Sequence, residues 1–151
     1  MLRRIINQFK EPIYKDDLKR VLINAFLSSL LIGILSGALN NLLYTTSGFS
    51  LIIITCLIGY FVAVKIKSNY FTYHILYPTL SVIFTLLGLI IQNYTEIGLR
   101  IGFDGTFLIS VRYFFMQFNI FNKGFYDFWN IINVIVIIVT LYYSYRLAKT
   151  Y

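Results

Sequence analysis

The side chains best suited to chemistry are few and isolated in this sequence. His74 is its only histidine and Cys56 its only cysteine, whereas a zinc-type metal site needs three or four clustered ligands. There is no CxxC, no HExxH and no glycine-rich phosphate loop. Cys56 fits a small packing residue, with a reactive thiol as the alternative. His74 fits an interfacial anchor, with pH sensing or ligand binding as the alternative. We therefore predict a protein that is not an enzyme and has no cofactor and no metal.

The elements around these residues are dominated by hydrophobic sequence. From Val21 to Val64 the chain contains no Asp, Glu, Lys, Arg or His. A helix that crosses a membrane needs ~20 predominantly apolar residues, so this stretch accommodates two such helices joined by the uncharged turn at residues 44–48. Charged residues make up 13% of the chain, against ~25% in ordinary globular domains. The fold class predicted is an all-α polytopic membrane protein.

We predict one integral membrane domain over residues 1–151, with four transmembrane helices at about residues 21–43, 49–64, 73–91 and 128–145. Residues 1–20 form a basic prelude, and residues 92–127 form a long outer loop. The segment Ser36-Gly37-Ala38 resembles a signal-peptide cleavage site. However, the prelude contains acidic residues and the apolar run continues beyond the site, which favours an uncleaved first helix.

The distribution of basic residues predicts the orientation. Lys and Arg are retained on the cytoplasmic side of membrane proteins. With the N-terminus inside, the inner segments contain ten of the 13 basic residues, namely Arg3, Arg4, Lys10, Lys15, Lys19, Arg20, Lys65, Lys67, Arg146 and Lys149. The outer segments contain Arg100, Arg112 and Lys123. We predict a multi-pass protein of the cytoplasmic cell membrane with both termini in the cytoplasm. The positive net charge is assigned to this asymmetry and not to nucleic-acid binding, and the composition suggests a bacterial source.

Small and polar residues recur at helical spacing in the predicted spans. The predicted helix-packing residues are Ser29, Gly33 and Gly37 in the first span, and Thr55, Gly59 and Ala63 in the second. Such stripes let helix backbones approach closely in lipid. Packing within the bundle is favoured, and a partner interface or a polar conduction path are the alternatives. Because an amide must be satisfied in the hydrocarbon, we also predict a polar cluster of Asn40, Asn41, Asn130 and Asn133 near the outer ends of spans one and four.

The outer loop contains one amphipathic segment between the third and fourth spans, at residues 106–119. The predicted interfacial helix places Phe107, Val111, Phe114 and Phe118 on one side, whereas Ser110 and Arg112 fall mainly elsewhere. Such a helix either lies in the outer membrane interface or dips back between the spans. An interfacial cover over the bundle is favoured, and a docking surface or a lid is the alternative.

Two local patterns carry a resemblance to known membrane proteins. The segment Gly59–Lys65, with the closing Tyr145-Arg146-Leu147-Ala148, resembles small four-span bacterial membrane proteins of unassigned function, which implies the fold but no activity. The stretch Gly37-Ala38-Leu39-Asn40 is similar to one in small flippases of lipid-linked sugars, although the second span lacks their Asn-basic-aromatic ending.

The sequence favours an accessory, assembly or protective (immunity-like) membrane subunit that acts by helix–helix contact with a partner protein. The alternative is a small carrier or channel for a lipid-linked or uncharged solute, which works as a homo-oligomer. The predicted surroundings in both cases are the lipid bilayer, and nucleic acid is not an expected partner.

Overall fold

The computed structural model describes residues 12–47, 53–116, 118 and 128–149, with side chains in the last segment described from residue 131 onward. This part of the chain is helical and contains five helices. They are α1 (Lys15–Ser47), α2 (Ile53–Lys67), α3 (Leu76–Ile101), α4 (Thr106–Met116) and α5 (Phe128–Lys149). Within the described residues, α1, α3 and residues 131–149 of α5 are long and apolar enough to cross a membrane. The all-helical prediction is therefore confirmed, and the fold is consistent with a multi-pass membrane protein.

The helices extend beyond the ends of the predicted spans. The first span was predicted at 21–43, yet α1 already begins at Lys15 and places Asp16 and Asp17 in its first turn, where carboxylates stabilise the helix dipole. The third span was predicted to end at residue 91, yet α3 continues to Ile101. It stops at Gly102, whose φ of 98° is readily adopted only by glycine. Residues 15–20 of the predicted prelude and residues 92–101 of the predicted outer loop are therefore helical.

Helices α2 and α5 also extend beyond the predicted ends of their spans. Helix α2 contains 15 residues and ends at Lys67, three residues beyond the predicted end, while its predicted start at residue 49 lies outside the described residues. Helix α5 extends to Lys149 and not to 145. Basic residues in a last helical turn interact favourably with the helix dipole, so Lys65, Lys67, Arg146 and Lys149 prolong these helices.

Helices α1 and α3 run parallel and form the most extensive contact in the bundle. A Cβ atom on Gly33 would lie 2.7 Å from the carbonyl oxygen of Gly88, and one on Gly37 would lie 2.5 Å from that of Gln92. Neither glycine could therefore be replaced by a larger residue without moving the backbone of α3. Ser29, one turn before Gly33, is also buried in this contact, and its hydroxyl donates to the carbonyl of Phe26 within α1.

Helix α5 packs against α2 and α3. A Cβ atom on Gly59 would lie 2.7 Å from Cγ2 of Thr140, and both Thr55 and Ala63, one turn away on either side, are buried. Near the C-terminal end of α5, the Tyr70 hydroxyl donates to the carbonyl of Ala148 at 2.6 Å. Since Tyr70 precedes α3 and Ala148 closes α5, the two helices run antiparallel. The ends of α1, α2, α3 and α5 that contain Lys15, Lys67, Leu76 and Lys149 are called the basic end below.

Helix α4 returns alongside α3 and is not a helix lying apart from the bundle. Between them, residues 102–105 form the turn, with Gly105 at a φ of 69°. The ring of Phe107 lies 5.8 Å from that of Tyr94, centroid to centroid, and Tyr94 precedes the end of α3 by about two turns. Further along α4, Phe114 belongs to the buried hydrophobic core. Helix α4 therefore follows α3 back toward the middle of the bundle.

Candidate functional site

A cluster of three hydroxyl groups lies at the contact of α3 with α5. The Ser144 hydroxyl lies 2.5 Å from that of Ser81 and 2.8 Å from that of Thr85, and all three side chains are fully buried. Ser81 also approaches the carbonyl of Ser144 at 3.2 Å. The three hydroxyl groups thus satisfy one another's hydrogen-bonding capacity inside the bundle, as buried polar groups in a hydrocarbon environment must.

The two residues singled out for chemistry are held by neighbouring helices. Cys56 is half-buried, and its sulfur accepts from the Thr140 hydroxyl at 3.5 Å, which agrees with a packing role at the contact of α2 with α5. His74 is buried, and its Nδ1 accepts from the backbone N–H of Leu76 at 3.1 Å. It thereby satisfies one of the free N–H groups at the start of α3. Within the described part of the chain, no group of three His, Cys, Asp or Glu could hold a metal ion.

A second polar cluster lies where α1 and α3 end, opposite the basic end. Asn40 donates to the carboxylate of Glu96 at 3.1 Å, and Glu96 forms an ion pair with Arg100 one turn further on. The guanidinium of Arg100 approaches the amide oxygen of Asn41 at 3.4 Å and lies 3.9 Å from the centre of the Tyr44 ring, a cation–π contact. The cluster thus links α1 to α3 through charge-assisted bonds.

This cluster contains two of the four asparagines of the predicted cluster, Asn40 and Asn41, together with Glu96 and Arg100. Asn40 and Asn41 contact Glu96 and Arg100, two residues of the segment predicted as the outer loop. Asn133 is half-buried on α5, and the side chain of Asn130 lies outside the described residues. The missed signal was the four-residue spacing of Glu96 and Arg100, which is typical of an ion pair on one face of a helix.

One side of α4 faces the bundle. It consists of Thr106, Ser110 and Phe114, all buried. The two hydroxyls donate within the chain, to the carbonyls of Phe103 and Thr106, so these small residues can approach α3 without leaving a polar group unsatisfied. Of the predicted apolar side, Phe107 and Phe118 are exposed and Val111 is half-buried.

The opposite side of α4 is exposed, apolar and carries one cation. Arg112 follows Ser110 by two residues, or 200° around the helix, and is exposed. Leu108, Ile109 and Phe115 surround it and are also exposed, Leu108 by 76%. Arg112 forms no ion pair with any residue that the structure describes. These residues are called the outward face of α4 below.

Comparison with known protein families, with curated proteins and with solved structures gives no match to this chain. The fold and the sites thus define the class: an all-helical chain with three described helices that could span a membrane.

Proposed function

We propose that this chain is a non-enzymatic subunit of a membrane complex, of the accessory, assembly or protective (immunity-like) kind, and that it acts through helix–helix contacts with a partner protein. The observation that carries the proposal is the outward face of α4. Helix α4 contacts chiefly α3, so its other side remains available to a second protein.

Arg112 makes this face unfavourable in lipid alone. It follows Thr106 by six residues, which places it about 9 Å along α4 from the turn at residues 102–105. Because α4 runs back beside α3, that distance leads into the apolar part of the bundle. An arginine at the centre of a membrane-spanning helix costs about 2.5–3.5 kcal/mol on insertion scales, and one nearer the membrane surface costs less because its long side chain reaches toward the headgroups. A partner helix with a carboxylate at the same depth would offset that cost.

The proposed setting is the bacterial cytoplasmic membrane, with four spans and both termini in the cytoplasm. In this arrangement α2 is the remaining span. Its 15 described residues cover about 22 Å, and the uncharged residues 48–52 precede them in the sequence. The basic end then faces the cytoplasm, in agreement with the ten-to-three distribution of Lys and Arg.

Reporter fusions test the orientation. A reporter that is active only outside the cytoplasm should be silent when fused after Tyr151 and active when inserted beside Lys123. As a control, a reporter active only in the cytoplasm should give the opposite pattern at both sites. Extracytoplasmic activity at Tyr151 with silence at Lys123 would invert the topology and contradict the proposal.

Photo-crosslinking tests the partner interface in the source membrane. A photoreactive amino acid at position 108 or 115, on the outward face of α4, should give one discrete crosslinked protein. The same probe at Leu31 or Leu35, which are exposed on α1, should crosslink mainly to lipid. We expect Arg112→Glu to reduce the protein adduct at position 108 several-fold, because it places like charges at the contact. Lipid adducts alone at all four positions would refute the partner interface.

The hydroxyl cluster of Ser81, Thr85 and Ser144 favours a second candidate, an oligomeric carrier for a lipid-linked or uncharged solute. Hydroxyl groups at a helix contact are able to exchange their hydrogen bonds with a polar solute. In that case the crosslinked product would have twice the mass of the chain, and the purified protein would conduct solute into liposomes. Flux without a second protein would favour the carrier over the accessory subunit.

A further inference from the structure

We infer that a cleft at the basic end binds the headgroup of a phospholipid that contains both a phosphate and a primary ammonium group. The cleft has a volume of about 390 Å³ and lies between the first turns of α1 and the loop before α3. Its walls include Lys15, Asp16 and Arg20 on α1 and Phe71 and Thr72 on the loop. These α1 residues directly precede the charge-free run of the sequence, where the headgroup layer meets the hydrocarbon.

The walls of the cleft are fixed to each other by a buried carboxylate. Asp17 is 7% exposed, and one of its oxygens accepts from the backbone N–H of Phe71 at 3.1 Å. Deeper in the bundle, the Asn24 amide donates to the side-chain oxygen of Asn69 at 3.0 Å. These bonds hold the loop against α1, so the cleft exists before a ligand binds. The Phe71 ring, 85% exposed, is placed to enter the acyl boundary beside the headgroup.

The charged side chains of the cleft are available to a ligand. Asp16 and Arg20 are four residues apart on α1, a spacing at which opposite charges often pair. Both are exposed, and neither they nor Lys15 forms an ion pair with a residue that the structure describes. Exposed charged groups of this kind can form charge-assisted hydrogen bonds with a ligand.

The pattern of charges selects the headgroup. Lys15 and Arg20 provide donors for a phosphate, whereas Asp16 provides an acceptor for an ammonium group about one helical turn, ~5 Å, away. The two-carbon linker of ethanolamine phosphate matches that separation. A purely anionic headgroup would face the carboxylate of Asp16 without a counter-charge, and a trimethylated ammonium has no N–H to donate. Phosphatidylethanolamine is thus the fitting probe.

Lipid competition measured by native mass spectrometry tests this inference. The full chain, freed of lipid in detergent, is mixed with equal amounts of phosphatidylethanolamine, phosphatidylcholine and phosphatidylglycerol that have identical acyl chains. We expect phosphatidylethanolamine to be retained about tenfold over either competitor, the ratio that 1.4 kcal/mol produces. Asp16→Asn should remove the preference over phosphatidylglycerol, and Arg20→Gln should lower retention of all phospholipids.

Lys65→Gln is the matched control, because Lys65 is an exposed cation of the same end that does not line the cleft; it should leave the preference unchanged. Melting temperatures of the variants show that folding is intact. Equal retention of the three lipids, a preference for phosphatidylglycerol, or a preference over phosphatidylglycerol that survives Asp16→Asn would overturn the inference. It requires α1 to lie in a membrane but requires no protein partner, so a negative crosslinking result leaves it unaffected.

Discussion

We expect Gly37→Ala to destabilise the protein, although alanine is the better helix former by about 1 kcal/mol. The added Cβ would lie 2.5 Å from the Gln92 carbonyl oxygen and 2.7 Å from Cβ of Thr95. The first of these atoms belongs to the backbone of α3, so the two helices must separate. Overpacking of this kind costs about 1–3 kcal/mol, which exceeds the gain in helix propensity. Gly37→Leu should cost at least the upper value.

The melting midpoint in mild detergent measures this effect. At about 2–4 °C per kcal/mol for a chain of this size, Gly37→Leu should lower the midpoint by about 6–12 °C. Leu39→Ala is the control on the same helix, since Leu39 is exposed and loses only contacts with detergent or lipid. A Gly37→Ala variant that melts above the parent protein would show that α1 and α3 do not approach as closely as described.

The second large effect is expected at Ser144. Threonine and valine are nearly equal in shape, so replacing Ser144 by each of them separates the effect of the lost hydrogen bond from the effect of the added volume. Ser144→Thr adds a methyl group but keeps the hydroxyl that contacts Ser81 and Thr85. Ser144→Val adds similar volume and removes the hydroxyl. Both should destabilise, because the site is fully buried and overpacking costs about 1–3 kcal/mol. The valine variant should lose about 1 kcal/mol more, the value of a hydrogen bond between membrane helices.

The difference between the valine and threonine midpoints is the relevant measurement. Thr46→Val serves as the reference, because the Thr46 hydroxyl donates only to carbonyls of its own helix and is exposed. If valine and threonine at position 144 melt together, the hydroxyl cluster contributes nothing to stability. Ser81 and Thr85 would then have found other acceptors, such as the carbonyls of the preceding helical turn.

The sequence by itself determined the class of the protein and the residues at which its helices meet. The run from Val21 to Val64 contains no charged residue and is long enough for two apolar helices of membrane-spanning length, ~20 residues each. The four-residue recurrence of Ser29, Gly33 and Gly37 likewise defines one helix face through local geometry alone. In the structure these residues are buried, with Gly33 and Gly37 directly against α3. Such local patterns need no knowledge of the neighbouring helix.

Tertiary structure decided where the helices end and which polar groups pair. Glu96 and Arg100 fall in the segment predicted as the outer loop, yet they belong to α3 and contact Asn40, Asn41 and Tyr44 of α1. Tertiary contacts also decided which side of α4 faces the bundle. The sequence places Phe107, Phe114 and Phe118 on one side of the helix but does not show which side meets α3. In the structure Thr106, Ser110 and Phe114 are buried there, and small residues of this kind let two helices approach closely. Contacts of this kind depend on which helices are neighbours, and helical periodicity does not encode that choice.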